Sequence, residues 1–263
     1  MAEMQEERND SVKPRHADQM GGFAKGLAVI EAFGQGRHAL TIAEAARLSG
    51  LDRATTRRCL LTLVKAGYAG ADGRYFELTP RILRLGHSYL AASMPRLIQP
   101  SLDRLADKLH QSCSASVLDG NEVVYIARAT QHRLMGVGLH PGSRLPAYCT
   151  SMGRVLLAAL PSERARELIA SSDRQSLTSR TLTDVDVLME EIEKVRAQGY
   201  AIIDQELELG SRSIAVPIRD LSRQTVAAFN VGAHAAHSTL ERLREEFLPH
   251  LLDAQGQLAE ILP

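Results

Sequence analysis

Residues Thr41 to Ala66, TIAEAARLSGLDRATTRRCLLTLVKA, predict two short helices joined by a tight turn. Thr41 and Glu44 stand three residues apart, so that each side chain can accept a hydrogen bond from the other's backbone N–H in a capping box. Gly50 ends the first helix, because glycine tolerates the positive φ of a helix terminus. Asp52 is then placed to cap a second helix.

The second helix of this stretch combines a buried stripe with a polar beginning. Its apolar positions follow the helical period, at Leu60, Leu63, Val64 and Gly67. The first turns carry the polar residues Arg53, Thr55, Thr56, Arg57 and Arg58. This arrangement is typical of a helix-turn-helix whose second helix enters the DNA major groove, where arginine can bond guanine and threonine can meet phosphate or a thymine methyl. A solvated charged helix face is the alternative.

A wing follows the second helix. Residues 68–78, YAGADGRYFEL, place Asp72-Gly73 between two segments with strand character. Arg74 near the tip of this hairpin is positioned to meet a phosphate or the minor groove. Because a hairpin directly after a recognition helix is a separate indication, the two together predict a winged helix-turn-helix that binds double-stranded DNA.

Charge is distributed unevenly along the 263 residues. The chain as a whole has zero net charge, so overall basicity predicts no partner. Residues 21–85, however, carry ten Lys or Arg against five Asp or Glu. An excess confined to one segment indicates a polyanionic partner for that segment only.

Cysteine usage and hydropathy narrow the class of protein further. The three cysteines, at 59, 113 and 149, form no C-x-x-C pair, so we expect neither a disulfide framework nor a zinc site. We find no apolar stretch of membrane-spanning length and no signal-peptide pattern in the sequence. We therefore expect a cytoplasmic protein that does not bind a membrane.

The domain organisation follows from changes in periodicity. We predict a disordered tail over 1–20, the winged helix-turn-helix over 21–79, a linker helix over 80–95 and an effector-binding domain over 96–263. The apolar residues of the linker exceed what one helix can bury alone, which implies a partner helix from a second subunit. Pro95 and Pro100 are expected to interrupt this region.

The C-terminal domain alternates strand and helix patterns. Strands are predicted over 114–118, 123–127, 134–139, 200–204, 213–218 and 226–231, and helices over 96–111, 150–160, 163–170, 185–198 and 239–262. Helices beside a mostly antiparallel sheet describe an α+β sensor-like domain.

The chain resembles the IclR family of bacterial transcriptional regulators from Phe23 to Leu262. The stretches that carry the resemblance are FAKGLAVIEAF (23–33), LDRATTRRCLLTLVKAGY (51–68), GSRLPAYCTSMGR (142–154) and DQELELGSRSIAVPI (204–218). The segment RLPAYCTSMGRVLLA is similar to the corresponding sequence in the PcaU, PcaR and PobR branch of the family. Regulators of this branch control catabolism of protocatechuate and 4-hydroxybenzoate through the β-ketoadipate pathway.

The resemblance implies an N-terminal winged helix-turn-helix, a linker helix used in dimerisation and a C-terminal GAF-like α/β domain. The expected partners are operator DNA, a small organic-acid effector and further copies of the chain in a homodimer or homotetramer. Carried over by position, the resemblance nominates as effector contacts Ser151, Met152, Asp204, Ser213, Asn230 and Gly232.

Elementary chemistry supports part of that set. Thr150 and Ser151 stand where a helix begins, and the free N–H groups of a helix N-terminus favour a carboxylate. Arg212 is a candidate counter-ion for the effector, with a structural ion pair as the alternative. Asp204 would repel an anion unless it accepts a hydrogen bond from an effector hydroxyl or pairs with an arginine. Arg144 and Arg154 can be either counter-ions of the effector or partners in structural ion pairs. Tyr148 and Ile214 can belong either to the wall of the cavity or to the core.

Two other functions are weighed against effector-controlled regulation. Ser151 lacks the context of a catalytic nucleophile, and His234 with His237 lacks a third metal ligand, so no catalytic residue, metal or cofactor is expected. A fused metabolite-processing enzyme is therefore the weaker alternative. The stronger one is a constitutive DNA-binding repressor whose C-terminal domain serves only oligomerisation.

Overall fold

The computed structural model describes residues 20–34, 38–85, 93–130 and 138–262. The tail predicted over 1–20 lies outside the described residues, apart from Met20. The chain divides into two units, Met1–His87 and Ser88–Pro263.

The N-terminal unit begins with the helices that the sequence predicts. In this unit α1 is Gly21–Glu31, α2 is Ile42–Ser49 and α3 is Arg53–Lys65, while β1 is Ala39–Thr41, β2 is Ala69–Asp72 and β3 is Tyr75–Leu78. Thr41 Oγ1 accepts from the N–H of Glu44 at 3.3 Å, and Glu44 Oε2 accepts from the N–H of Thr41 at 2.9 Å. Gly50 adopts φ 68° after α2, and Asp52 Oδ1 accepts from the N–H of Thr55 at 2.8 Å. The predicted caps and turn are therefore confirmed.

A three-stranded antiparallel sheet in the order β1-β3-β2 forms the wing and its support. The turn between β2 and β3 falls at Gly73, where φ is 57°, as the Asp-Gly pair predicts. β1 was not predicted, because three residues are too few to show an alternating pattern. Leu40 in β1 pairs with Phe76 in β3, and both side chains are buried with Leu60 in the core of this unit.

The junction predicted as a linker helix over 80–95 is only partly described. A 3₁₀ turn covers Pro80–Ile82, and residues 86–92 of the predicted helix lie outside the described residues. Helix α4, Ser93–Leu109, begins before residue 96 and continues through Pro100, so the expected interruption is wrong. Ile98 and Leu102 on either side of the proline are fully buried, and their packing offsets the hydrogen bond lost at Pro100.

The C-terminal unit is built on one antiparallel sheet of six strands in the order β6-β5-β4-β9-β8-β7. The strands are β4 (Ser112–Asp119), β5 (Glu122–Ala129), β6 (Arg144–Pro146), β7 (Ala201–Asp204), β8 (Ser211–Arg219) and β9 (Thr225–His234). β6 was not predicted. Most of the strand predicted over 134–139 lies outside the described residues, and Gly138 and Leu139 are not in a strand.

Helices cover both faces of this sheet. They are α5 (Ser151–Ala158), α6 (Ser162–Ala170), α7 (Val185–Gln198) and α8 (Leu248–Ala259), the last preceded by helical turns at Leu240–Arg242 and Leu243–Phe247. α4 and α8 pack on one face around Phe229, and α5, α6 and α7 pack on the other around Met152. The predicted α+β class is confirmed. Among the described residues, no helix combines the length and apolar character that a membrane span requires.

Leu60 and Leu61 provide a matched test of the N-terminal core. Leu60 is fully buried, whereas Leu61 is 43% exposed on the same helix. We expect Leu60→Ala to lower the free energy of unfolding by about 2 to 5 kcal/mol, because it removes methyl groups from a packed core. Leu61→Ala should change it by less than about 0.5 kcal/mol. Urea unfolding followed by circular dichroism measures both, and equal stability of the two variants would contradict this core.

Candidate functional site

The N-terminal turns of α3 expose their arginines, whereas Thr55 and Thr56 are buried. Arg53, Arg57 and Arg58 are exposed. Thr55 is buried, and Thr56, which stands one turn before Leu60, is 0% exposed and donates its hydroxyl to the Asp52 carbonyl at 2.9 Å. The prediction that Thr55 and Thr56 face DNA is therefore wrong, because both belong to the buried stripe of the helix.

The wing presents Arg74 beside an aromatic ring. Arg74 is exposed, its Nη2 donates to the Tyr75 hydroxyl at 2.9 Å, and its guanidinium lies 5.1 Å from the centre of the Tyr75 ring. This contact restricts the side chain while leaving the cation accessible. The described surface of the N-terminal unit thus carries cations on both the recognition helix and the wing.

A cavity of about 850 Å³ lies in the C-terminal unit, on the sheet face that also carries α5. Cavities of this size accommodate small organic molecules. Apolar side chains contribute to its wall, namely Leu139, Leu145, Ile203 and Leu207.

Strand pairing arranges the polar floor of the cavity in rows. Arg128 on β5 pairs with Ser114 on β4, which pairs with Asn230 on β9. In the next row Ser112, Gly232 and Ser213 are neighbours on β4, β9 and β8, and beyond them His234 pairs with Ser211. All of these residues line the cavity. Directly paired residues share one face of a sheet, so the rows form a continuous polar surface.

A bulge brings Tyr125 and Arg128 to the same face. The two residues are three apart on β5, and in a regular strand they would point to opposite faces. The pairing shifts between Ala115 and Ser116 of β4, so that Arg128 pairs with Ser114 while Tyr125 pairs with Ser116. Both side chains consequently line the cavity.

Arg128 is a half-buried cation whose guanidinium, among the described residues, donates to hydroxyl groups. Its Nη1 donates to Ser114 Oγ at 2.8 Å and its Nε to Thr130 Oγ1 at 3.1 Å. Burial lowers the pKa of Arg128, but a guanidinium remains charged at neutral pH. Burial also raises the pKa of the neighbouring Tyr125 and of Cys149 to about 12, so both stay uncharged. Within the described part of the chain, no carboxylate lies within 4.0 Å of this guanidinium.

The N-terminus of α5 supplies a second polar group. Thr150 caps the helix, because its Oγ1 accepts from the N–H of Gly153 at 3.3 Å. Ser151 is 1% exposed and lines the cavity, and its Oγ has no hydrogen-bond partner among the described residues. A buried hydroxyl without a partner costs free energy, so this group favours a ligand that bonds to it.

The structure brings together some of the predicted effector contacts. Thr150, Ser151, Ser213 and Asn230 line the cavity, as does Gly232. Met152 does not, because it is fully buried beneath the helix, where Ser116 Oγ donates to its sulfur at 3.3 Å.

Asp204 and Arg212 are also absent from the lining described for the cavity. They form an ion pair with each other, and Arg180 contacts the second carboxylate oxygen. Burial opposes ionisation of Asp204, but hydrogen bonds from Arg212 and Gln205 hold its pKa below the usual value. The structure thus does not bring Met152, Asp204 and Arg212 to the cavity wall, where the prediction placed them.

The four residues whose role the sequence left open have structural roles. Arg154 is 2% exposed and its Nη2 lies 2.6 Å from Glu206 Oε2. Arg144 pairs with Asp119 and Glu122 at the surface. Tyr148 and Ile214 are core residues that do not line the cavity, and the Tyr148 hydroxyl donates to the Gln175 carbonyl at 2.7 Å.

Sequence reasoning missed the principal cation of the cavity. Arg128 is the only charged residue between Glu122 and the end of β5, within the otherwise uncharged run VVYIARA. That isolated charge, together with the alternating serines of SCSAS at residues 112–116, could have indicated a polar face of the sheet. Ser112, Ser114 and His234 were missed with it as cavity residues.

A winged helix-turn-helix with accessible arginines, joined in one chain to a domain with a cationic cavity, defines a DNA-binding transcriptional regulator. Residues 23–73 match the IclR helix-turn-helix domain, and residues 90–260 match the C-terminal domain of the bacterial transcriptional regulator IclR. The chain belongs to the IclR family. Because this family consists of transcriptional regulators, the chain is a regulator and not an enzyme.

Individual relatives place the chain near regulators of aromatic catabolism. It is 50% identical to the Pca regulon regulatory protein of Pseudomonas putida, over 93% of this chain and 85% of the relative. A transcriptional regulator from Rhodococcus sp. RHA1 is 46% identical, with a TM-score of 0.78 over 92% of this chain and 98% of that one. The inducer-binding domain of a PobR double mutant from Acinetobacter, solved with 3-hydroxybenzoic acid, is 34% identical, with a TM-score of 0.61 over 64% of this chain and 98% of that one.

Gly153 tests the packing that forms the cavity wall. A Cβ at this position would lie 2.2 Å from the Ala147 carbonyl oxygen, so α5 would have to move. We expect Gly153→Ala to lower the free energy of unfolding by about 1 to 3 kcal/mol or more, as overpacking does. Gly256→Ala, on the exposed side of α8 with no atom within 4 Å, should instead be neutral or stabilising by up to about 1 kcal/mol. Urea unfolding compares them, and a fully stable Gly153→Ala protein would refute this packing.

Proposed function

We propose that the chain is a transcriptional regulator controlled by a small aromatic carboxylic acid bound in the C-terminal cavity. The observation that carries the proposal is the Arg128 guanidinium, which faces the cavity with hydroxyl partners and no neutralising carboxylate among the described residues. An effector carboxylate would supply a counter-charge at a half-buried guanidinium, where a charge-assisted hydrogen bond is stronger than at a fully exposed site. The unpartnered Ser151 hydroxyl adds a donor beside it.

Relatives support the aromatic class of the effector. The PobR domain that resembles the C-terminal unit was solved with 3-hydroxybenzoic acid. Leu139, Leu145 and Leu207 offer this chain an apolar wall against which a ring can pack. β-Ketoadipate, which is an aliphatic acid, would use the same cation.

The DNA side of the proposal assigns roles to four arginines. Arg53, Arg57 and Arg58 on α3 contact the major groove, and Arg74 on the wing contacts a neighbouring phosphate or the minor groove. In a homodimer or homotetramer, two recognition helices would read half-sites about one helical turn apart or a multiple of it. Effector binding would shift the population of DNA-competent arrangements through residues 79–95. We assign the protein to the bacterial cytoplasm, where the operator lies.

The constitutive repressor is the competing function. A domain that served only oligomerisation would gain nothing from a half-buried cation that has no carboxylate partner in the described ranges, since such a group costs solvation free energy. Thermal denaturation with benzoate, 4-hydroxybenzoate, protocatechuate and β-ketoadipate decides between the two. A ligand that binds the folded state raises the melting temperature, so a shift with at least one aromatic acid supports effector control. No shift with any of them would favour the constitutive repressor.

Arg128→Gln tests the proposed anchor of the carboxylate. We expect affinity for 4-hydroxybenzoate to fall about tenfold to hundredfold. This corresponds to the loss of roughly 1.5 to 3 kcal/mol, which a hydrogen bond to a charged group contributes. Arg144→Gln, which removes an arginine from a surface ion pair at the same edge of the sheet, should leave the affinity within about twofold. Isothermal titration calorimetry measures both, and equal affinities in the two variants would remove Arg128 from the site.

Arg57→Ala tests the recognition helix. We expect operator affinity to fall by about 1 to 3 kcal/mol if the guanidinium contacts a base edge. The measurement is a gel-shift titration on a duplex that the wild-type protein selects from a random pool. Arg219→Ala, at an exposed position in the C-terminal unit, is the control. Full operator affinity of the Arg57→Ala protein would exclude this residue from the interface.

A further inference from the structure

His234 presents one defined ring nitrogen at the end of the cavity floor. It lies at the end of β9, lines the cavity and is partly exposed. Its Nδ1 accepts a hydrogen bond from the backbone N–H of Ala236 at 3.1 Å. A backbone amide can only donate, so the ring proton of the neutral imidazole is on Nε2. The local turn therefore fixes His234 as a donor through Nε2–H.

Glycine at position 210 leaves space in front of this nitrogen. A Cβ on Gly210 would lie 3.2 Å from Nε2, closer than most side chains tolerate. Gly210 also has φ 84°, which a larger residue rarely adopts, so two constraints keep the position open. A side chain at position 210 would therefore crowd Nε2, and His234 lines this end of the cavity together with Glu208, which lies at the exposed rim.

Arg128 and His234 stand at opposite ends of the floor. Arg128 belongs to the row that contains Asn230 but lies two strands away from it, and His234 is four residues further along β9. At about 3.3 Å per residue and about 4.8 Å per strand, the Cα atoms of Arg128 and His234 are roughly 16 Å apart. Between the two rows lie Ser112, Gly232 and Ser213, all small. Both side chains extend into the cavity, which shortens the gap that a ligand must span. The floor therefore has the Arg128 cation at one end and the His234 hydrogen-bond donor at the other. The small residues between them leave room for a ligand.

We propose that His234 determines specificity for acids that carry a second oxygen function opposite the carboxylate. The carboxylate binds at Arg128, and the second oxygen, a ring hydroxyl or the far oxygen of an aliphatic oxo acid, accepts from Nε2–H. A simple monoacid of the same size makes only the first contact. This inference rests on the proposed function, because it requires the carboxylate to be anchored at Arg128.

Two substitutions at His234 separate its two nitrogens. His234→Asn keeps an acceptor near Nδ1 for the Ala236 N–H and removes the distal donor. His234→Gln places an amide donor near Nε2. Calorimetry on the full chain compares 4-hydroxybenzoate with benzoate, and β-ketoadipate with hexanoate, for the wild type and both variants.

For the wild type we expect the bifunctional acid of one pair to bind about five- to tenfold tighter than its monoacid, as one hydrogen bond provides. His234→Asn should reduce that ratio to about one, and His234→Gln should restore part of it. The pair that shows the ratio identifies the second oxygen as a ring hydroxyl or as an oxygen of the aliphatic oxo acid. A ratio unchanged in His234→Asn would overturn the inference while leaving the anchor at Arg128 intact. If no acid binds the wild type, the proposed function fails as well.

Discussion

The buried ion pair between Arg154 and Glu206 is the interaction on which the cavity depends. It joins α5 to the loop that follows β7, and residues of both, Ser151 and Leu207 among them, line the cavity. Arg154 Nε also donates to the Tyr148 carbonyl at 3.1 Å, and Glu206 Oε2 also accepts from the N–H of Leu182 at 3.2 Å. Two charges removed from water are costly unless such further bonds satisfy them, and a satisfied network holds its members in one arrangement.

This network explains why the two kinds of arginine in the unit behave differently. Arg154 has a carboxylate partner and is structural, whereas Arg128 is held by the hydroxyls of Ser114 and Thr130. Hydroxyl groups orient a guanidinium without neutralising it. A cation that is oriented but not neutralised is suited to binding an anion. The cavity is thus cationic because, among the described residues, Arg154 is paired with a carboxylate and Arg128 is not.

Local signals in the sequence predicted local structure well. The capping box at Thr41, the cap at Asp52 and the turn at Gly73 depend on residues within a few positions of one another, and all three are present. Thr55 and Thr56 were misassigned because a polar side chain on a helix can still belong to its buried stripe. Only packing against the rest of the unit decides which way such a residue faces.

The residues of the cavity could be predicted only from contacts between segments that are distant in sequence. Arg128 reaches it because a bulge opposite Ala115 and Ser116 changes the facing of β5, and alternation alone cannot reveal a bulge. Asp204 and Arg212 are directly paired across β7 and β8, so their opposite charges bind each other instead of a ligand. The resemblance to the family located the region of the cavity, while individual contacts required the register of the strands.

Gly232, in the middle of the floor, leaves room for a side chain. A Cβ there would meet only the Ser112 carbonyl oxygen, at 3.8 Å, which is ordinary contact. Alanine can therefore replace this glycine without moving the backbone, and its methyl group would reduce the room above the sheet. A substitution at this one position would change the shape of the space between Arg128 and His234 while leaving both of those residues in place.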